Sequence, residues 1–188
     1  SFDEINFDLL PDKFVLKTTH DSGTIVICDN KRILDKASAK KQLEESLKRN
    51  FYLYSREWPY KNLRHRIIAE KMITNTVPND YKFFMFNGKM DSVMVCTNRA
   101  SGHPTCRFYD KEWNRLLYQK PELEPESNVE RPENYEKMIR IAEQLSENLV
   151  LMRVDLYNID GQIYFGELTF FDQGGFDTDI TLETDLKW

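Results

Sequence analysis

Long apolar runs are missing from this chain. Nothing in it approaches the roughly 20 consecutive residues that a membrane-spanning helix needs, so no integral membrane segment is expected. Cysteine is scarce: Cys28, Cys96 and Cys106 stand alone, with no CxxC pair and no His/Cys cluster. That argues against a zinc site and predicts three free thiols in a reducing, cytoplasmic setting. Basic excess is absent too, since 26 Lys and Arg against 31 Asp and Glu leave a net charge of −5. A chain of that sign is not expected to bind nucleic acid by electrostatics. Internal repeats and low-complexity tracts are also lacking. The opening Ser1-Phe2-Asp3-Glu4 is no signal peptide, and a start without Met predicts a processed or excised N-terminus.

What remains is a globular composition, 40% hydrophobic and 30% charged over 188 residues, enough to bury a core as one domain or two small lobes. Residues 1–12 read as polar and turn-like. Two short strands follow at 13–17 and 24–28, joined by His20-Asp21-Ser22-Gly23. The spacing of Leu43 and Leu47 predicts a helix over 38–49, capped by Ser38. Residues 50–66 are rich in aromatics and cations and carry no clear period, whereas 66–73 reads as a strand. Asn87-Gly88 predicts a hairpin pairing 81–86 with 89–97, and another hairpin covers 105–118. The proline-bearing stretch 120–132 is a surface loop. A helix over 133–147 shows one face of Tyr135, Met138, Ile139, Ala142 and Leu145. The finish from 171 to 188 has little repetitive structure. This order is α+β with antiparallel pairing, not the alternation of a doubly wound sheet.

The most informative stretch is RVDLYNIDGQIYFGELTF. It predicts strands at 152–158 and 162–170 joined through Asn158-Ile159-Asp160-Gly161, with Asp155 and Glu167 on neighbouring strands. Two carboxylates rising from apolar strands are costly to bury unless something cationic neutralises them. Oxygen ligands of this kind suit Mg²⁺, which takes one or two carboxylates plus substrate phosphates. Two such carboxylates also repel when metal is absent, so neutralising either one is expected to leave the fold intact or slightly more stable. Lys17 ends the strand FVLK just before a loop of small residues, an arrangement suited to clamping a phosphate.

Taken together, Lys17 at a strand end, the small-residue loop, IIAEKMI with Glu70, then Asp80, Asp155 and GELTF resemble the ATP-grasp superfamily. DYKFFMFNGK, the Asn98-Arg99 pair and the long RVDLYNIDGQIYFGELTFFDQGGF motif are similar to its TupA-like branch, associated with bacterial cell-surface polysaccharide and teichuronopeptide biosynthesis. The resemblance runs from about Leu10 to Trp188, and family members extend beyond both ends. It implies two lobes, 1–73 and 74–188, whose antiparallel sheets flank a nucleotide cleft. It implies that Lys17 contacts the α- or β-phosphate, and that His20, Ser22 and Gly23 lie in a loop folding over the phosphates. The backbone of Glu70, Lys71 and Met72 would read adenine, and Asp80 the ribose. Asp155, Glu167 and Thr169 would hold Mg²⁺. The common ATP-grasp pattern is Glu-x-Asn; Thr169 replaces the Asn here, and a hydroxyl is the poorer ligand, which weakens the case for a second metal ion. The implied activity is an ATP-dependent carboxylate–amine ligase acting on a sugar or amino-acid precursor of a polysaccharide. The alternatives are a glycosyltransferase using a sugar nucleotide, and a nucleotide-binding fragment inactive alone.

Each residue also has a plainer reading. Lys17 is a common edge-strand gatekeeper. Arg153 shares a sheet face with Asp155 by alternation, and either pairs with it structurally or contacts a phosphate. Lys82 shares a face with Asp80, and Arg99 lies near the same strands; with Lys17 and Arg153 these are the cations assigned to the reaction. Phe83, Phe84 and Phe86 read as core. His20 is expected to be solvated in its turn, and His65, between Arg64 and Arg66, to lie on a solvated edge.

Overall fold

The computed structural model describes residues 1–188, which divide into two compact units, Ser1–Asn75 and Thr76–Trp188. In the first unit, β1 (Phe14–Thr18), β2 (Ile25–Cys28) and β3 (Ile67–Lys71) form an antiparallel sheet in the order β2-β1-β3. Alternation along β1 buries Phe14, Leu16 and Thr18 and turns Val15 and Lys17 to the other face. Helix α1 (Lys36–Leu47) covers the buried face with Ala39 and Leu43. Its cap is not Ser38. The Asp35 carboxylate accepts from the Ala37 and Ser38 N–H groups at 3.1 and 3.0 Å, so the helix starts earlier than the leucine spacing predicted. The first twelve residues are more than polar turns, because Phe2 is buried in this core and packs on Phe7. Between α1 and β3 the aromatic segment makes a single helical turn, α2 (Tyr52–Ser55), and a 3₁₀ turn at Trp58–Tyr60.

The second unit is a six-stranded antiparallel sheet. Its strands are β4 (Asp80–Phe86), β5 (Lys89–Thr97), β6 (Thr105–Tyr109), β7 (Arg115–Leu116), β8 (Leu151–Ile159) and β9 (Gln162–Thr169), ordered β7-β6-β5-β4-β8-β9. One face packs Phe83, Met85, Val93, Val95, Met152 and Val154 against Tyr135, Met138, Ile139 and Ala142 of α3 (Tyr135–Leu145). Leu145, expected on that face, is the exposed last residue of the helix. Ser146 turns inward in its place and donates to the Ala142 carbonyl at 2.8 Å. Burial and hydrogen bonding to a helix carbonyl override the apolar period at this end.

Two expectations are corrected outright. Cys96 and Cys106 are directly opposed on β5 and β6 and form a disulfide, leaving Cys28 as the free, buried thiol. Cysteine counting alone cannot see a cross-strand pair, and the argument from free thiols to a reducing compartment goes with it. The C-terminal stretch is also more regular than expected: a 3₁₀ turn at Asp172–Gly175 is followed by α4 (Leu182–Lys187), capped by Thr181. Trp188 then stacks on Phe84 with ring centres 4.6 Å apart, on the sheet face away from α3. No helix of the chain is long and apolar enough to cross a membrane.

Candidate functional site

In the first unit, Lys17 stands on the open face of the small sheet, opposite Ile25 on one side and Ile68 on the other. Its Nζ lies 2.5 Å from Glu70 Oε2 on the neighbouring strand. Ile25, Ile27 and Ile68 are exposed around this pair, so the face is apolar with one ion pair at its centre. Strand β3 is an edge strand, which leaves backbone groups along Glu70 and Lys71 without a sheet partner on that side; Met72 follows, its N–H donating to the Lys13 carbonyl at 3.4 Å.

The loop between β1 and β2 is anchored at its base and open at its tip. Asp21 accepts from the hydroxyls of Thr18, Thr24 and Ser46, the last two at 2.6 and 2.5 Å. Burial pushes the Asp21 carboxyl up, but the Ser46, Thr18 and Thr24 hydroxyls together outweigh it and hold the group below its ordinary value. Ser22 and Gly23 are exposed, and Gly23 adopts a φ of +100° with no neighbour where a side chain would sit. His20 is not solvated. It is 1% exposed, its Nε2 meets the Ser46 carbonyl at 3.0 Å, and it stacks on His65 at 3.6 Å. His65 in turn meets the Leu47 carbonyl at 2.7 Å. Both rings thus pair with carbonyls at the C-terminal end of α1, where donors are wanted.

In the second unit, alternation puts Asp80, Lys82, Arg153 and Asp155 on the sheet face away from α3, with Glu167 directly opposite Asp155. Lys82 bridges Asp80 at 3.0 Å and Asp155 at 2.5 Å. Arg153 holds both Asp155 oxygens, at 2.8 and 2.9 Å, reaches Glu167 at 3.0 Å and pairs with Asp172. Arg99 meets Asp80 at 3.1 Å. Burial alone would depress the Lys82 ammonium, but Asp155 and Asp80 outweigh it, against opposition from Arg153, and raise its pKa. Arg153 is raised in the same sense, with burial opposed by Asp155 and Asp172. Asp80 Oδ1 is buried and without a partner, whereas Glu167 is half exposed and takes a 3.2 Å bond from Thr169.

The pairing of Asp155 with Glu167 depends on a β-bulge. Leu156 pairs with Phe165 and Asp155 with Glu167, which leaves Gly166 as the extra residue on β9. A Cβ on Gly166 would stand 2.9 Å from the Asp155 carbonyl oxygen. The structure therefore adds Gly166 and Asp172 to the residues singled out from sequence. A lone glycine inside a strand pattern is a signal for a bulge; Asp172 lay in an acidic tail with no period to place it.

Carboxylate oxygens are the donor type Mg²⁺ takes. Both Asp155 oxygens, however, are engaged by Arg153 and Lys82, and Asp172 pairs with Arg153. Glu167 is therefore the accessible donor, and Asp155 would have to exchange a cation for the metal. No cluster of three acidic, His or Cys side chains is close enough to cage an ion unaided.

An α+β chain with two antiparallel sheets is the architecture expected of the ATP-grasp fold. The chain belongs to the TupA-like ATP-grasp family, whose profile matches residues 1–188. Among solved structures it is similar to D-alanine–D-alanine ligase from Bacillus anthracis in complex with ATP: identity is 18% and TM-score 0.48, over 88% of this chain and 43% of that one. The ligase from Helicobacter pylori gives 13% and 0.41, over 89% of this chain and 44% of that one. This chain thus spans less than half the length of those ligases, and the family assignment rests on the profile. No curated protein matches.

Proposed function

We propose that the chain is the nucleotide-binding part of an ATP-dependent, Mg²⁺-dependent ligase that joins a carboxylate to an amine on a precursor of a bacterial surface polysaccharide. The observation that supports this most is the buried network of Lys82, Arg153 and Asp155 beside an accessible Glu167, within a chain of the ATP-grasp family. Such a network keeps fixed cations and carboxylates on one surface without relying on solvent to orient them.

In this reading Lys17 contacts the α- or β-phosphate, giving up Glu70 to do so, and Ser22 and Gly23 approach the phosphates through backbone N–H groups. The exposed isoleucines around Lys17 supply an apolar bed for the purine. Edge groups of Glu70, Lys71 and Met72 recognise its donor and acceptor pattern, and Asp80 takes the ribose. Asp155 and Glu167 hold Mg²⁺, with Thr169 orienting Glu167; the ion, when bound, neutralises charge on the phosphates. The acceptor carboxylate takes the γ-phosphoryl group and ADP leaves. The amine then attacks the carbonyl carbon, loses a proton and expels phosphate. Lys82, Arg99 and Arg153 balance the charge that moves between these groups.

A nucleotide panel tests the reading. ATP, GTP, UDP-glucose and UDP-glucuronate are compared with Mg²⁺ for their effect on melting temperature. ATP is expected to stabilise the chain selectively, and Lys17→Ala to weaken that effect about tenfold or more in affinity. A preference for a uridine sugar nucleotide would move the assignment to glycosyl transfer.

A further inference from the structure

Apart from His65, which stacks on His20, the segment between α1 and β3 has no part in the candidate site, and it contributes no residue to the core. Its two helical turns bury no residue, and none of its aromatics joins the packed cluster of the first unit. Instead it packs on itself. Phe51 and Tyr60 meet edge to face at 5.0 Å, as do Tyr52 and Trp58 at 6.1 Å. Lys61 Nζ sits 4.2 Å above the Trp58 ring and 5.5 Å from that of Tyr52, and Arg56 lies over the Tyr52 ring at 5.7 Å.

This self-packing leaves the large apolar side chains pointing outward. Leu53 is 61% exposed, Tyr54 77%, Trp58 57% and Leu63 43%. The charge of the segment is opposite to that of the whole. Residues 48–66 hold six Lys and Arg, all exposed, against Glu57 alone, in a chain of net charge −5. Single exposed apolar residues need no explanation, but four of them in a short basic stretch do.

We infer that this segment is a peripheral docking surface for an anionic lipid bilayer. Leucines that protrude beside Trp and Tyr enter the acyl boundary, the aromatic rings sit at headgroup depth, and the surrounding cations meet acidic headgroups. Lys61, held over Trp58, places its charge at the level of that ring. Nucleic acid fits less well, because Leu53 and Leu63 offer bases no stacking face.

The test is sedimentation of the 188-residue chain with vesicles of phosphatidylcholine alone or with roughly 30 mol% phosphatidylglycerol, at low and physiological salt. Binding is expected on the acidic vesicles, at least about tenfold stronger than on neutral ones and weakened by salt. Leu53→Ser with Trp58→Ser should lose it, and so should Arg56→Glu with Lys61→Glu, a surface change that leaves the core untouched. Lipid with brominated chains should quench tryptophan emission in the wild type and not in Trp58→Phe. No sedimentation with acidic vesicles overturns the inference. So does retention of binding by both double variants, or binding to a single-stranded oligonucleotide or an acidic polysaccharide without binding to vesicles.

Discussion

Asp155 and Glu167 face each other across one strand pair, yet their surroundings differ in a way that separates their variants. Asp155 is buried between Lys82 and Arg153, whereas Glu167 is half exposed and meets one arm of Arg153. Each carboxylate is paired with Arg153, so burial rather than relief of repulsion separates the two variants. Glu167→Gln should leave stability within about 0.5 kcal/mol of wild type. Asp155→Asn takes the shared carboxylate from two buried cations, leaving Lys82 with Asp80 and Arg153 with Asp172 and Glu167. It should cost about 1–3 kcal/mol, measured by urea unfolding. Equal, small effects would show that the buried network carries no weight. Asp21 gives a second prediction at this scale. Its folded pKa lies below the unfolded value of about 3.9, so its contribution is complete above that value and fades as pH falls through the lower folded one. Wild-type stability should thus fall on the acid side of about pH 4, and Asp21→Asn should remove that part of the dependence.

Among the elements, alternation and turn chemistry were readable because local physics decides them. Asn87-Gly88 did close a hairpin, the pairing of β8 with β9 did bring Asp155 beside Glu167, and the sheet faces of Lys82 and Arg153 followed from counting by two. What escaped was set by tertiary partners. His20 is buried because a carbonyl at the end of α1 and the His65 ring are waiting for it; a turn sequence contains neither fact. The Cys96–Cys106 bond likewise depends on register across β5 and β6. Gly166 sits between these cases, visible as an odd glycine but interpretable only once the bulge is seen. Gly166→Ala should press on the Asp155 carbonyl, cost about 1–3 kcal/mol and lower the melting temperature by several degrees. A melting temperature unchanged from wild type would mean that the bulge relaxes freely.

For the whole molecule, the sequence resemblance and the family profile agree on ATP-grasp, and both sheets are antiparallel as expected. The metal-linked nucleotide site is the proposal from which the role of each site residue follows. Calorimetric titration of ATP, with and without Mg²⁺, into wild type, Glu167→Gln and Lys17→Ala addresses it directly. The account predicts that wild type binds ATP at least about tenfold more tightly with Mg²⁺ than without, that Glu167→Gln loses most of that difference while keeping its fold, and that Lys17→Ala binds weakly in both conditions. Undiminished Mg²⁺-dependent ATP binding in Glu167→Gln and Lys17→Ala alike would contradict it.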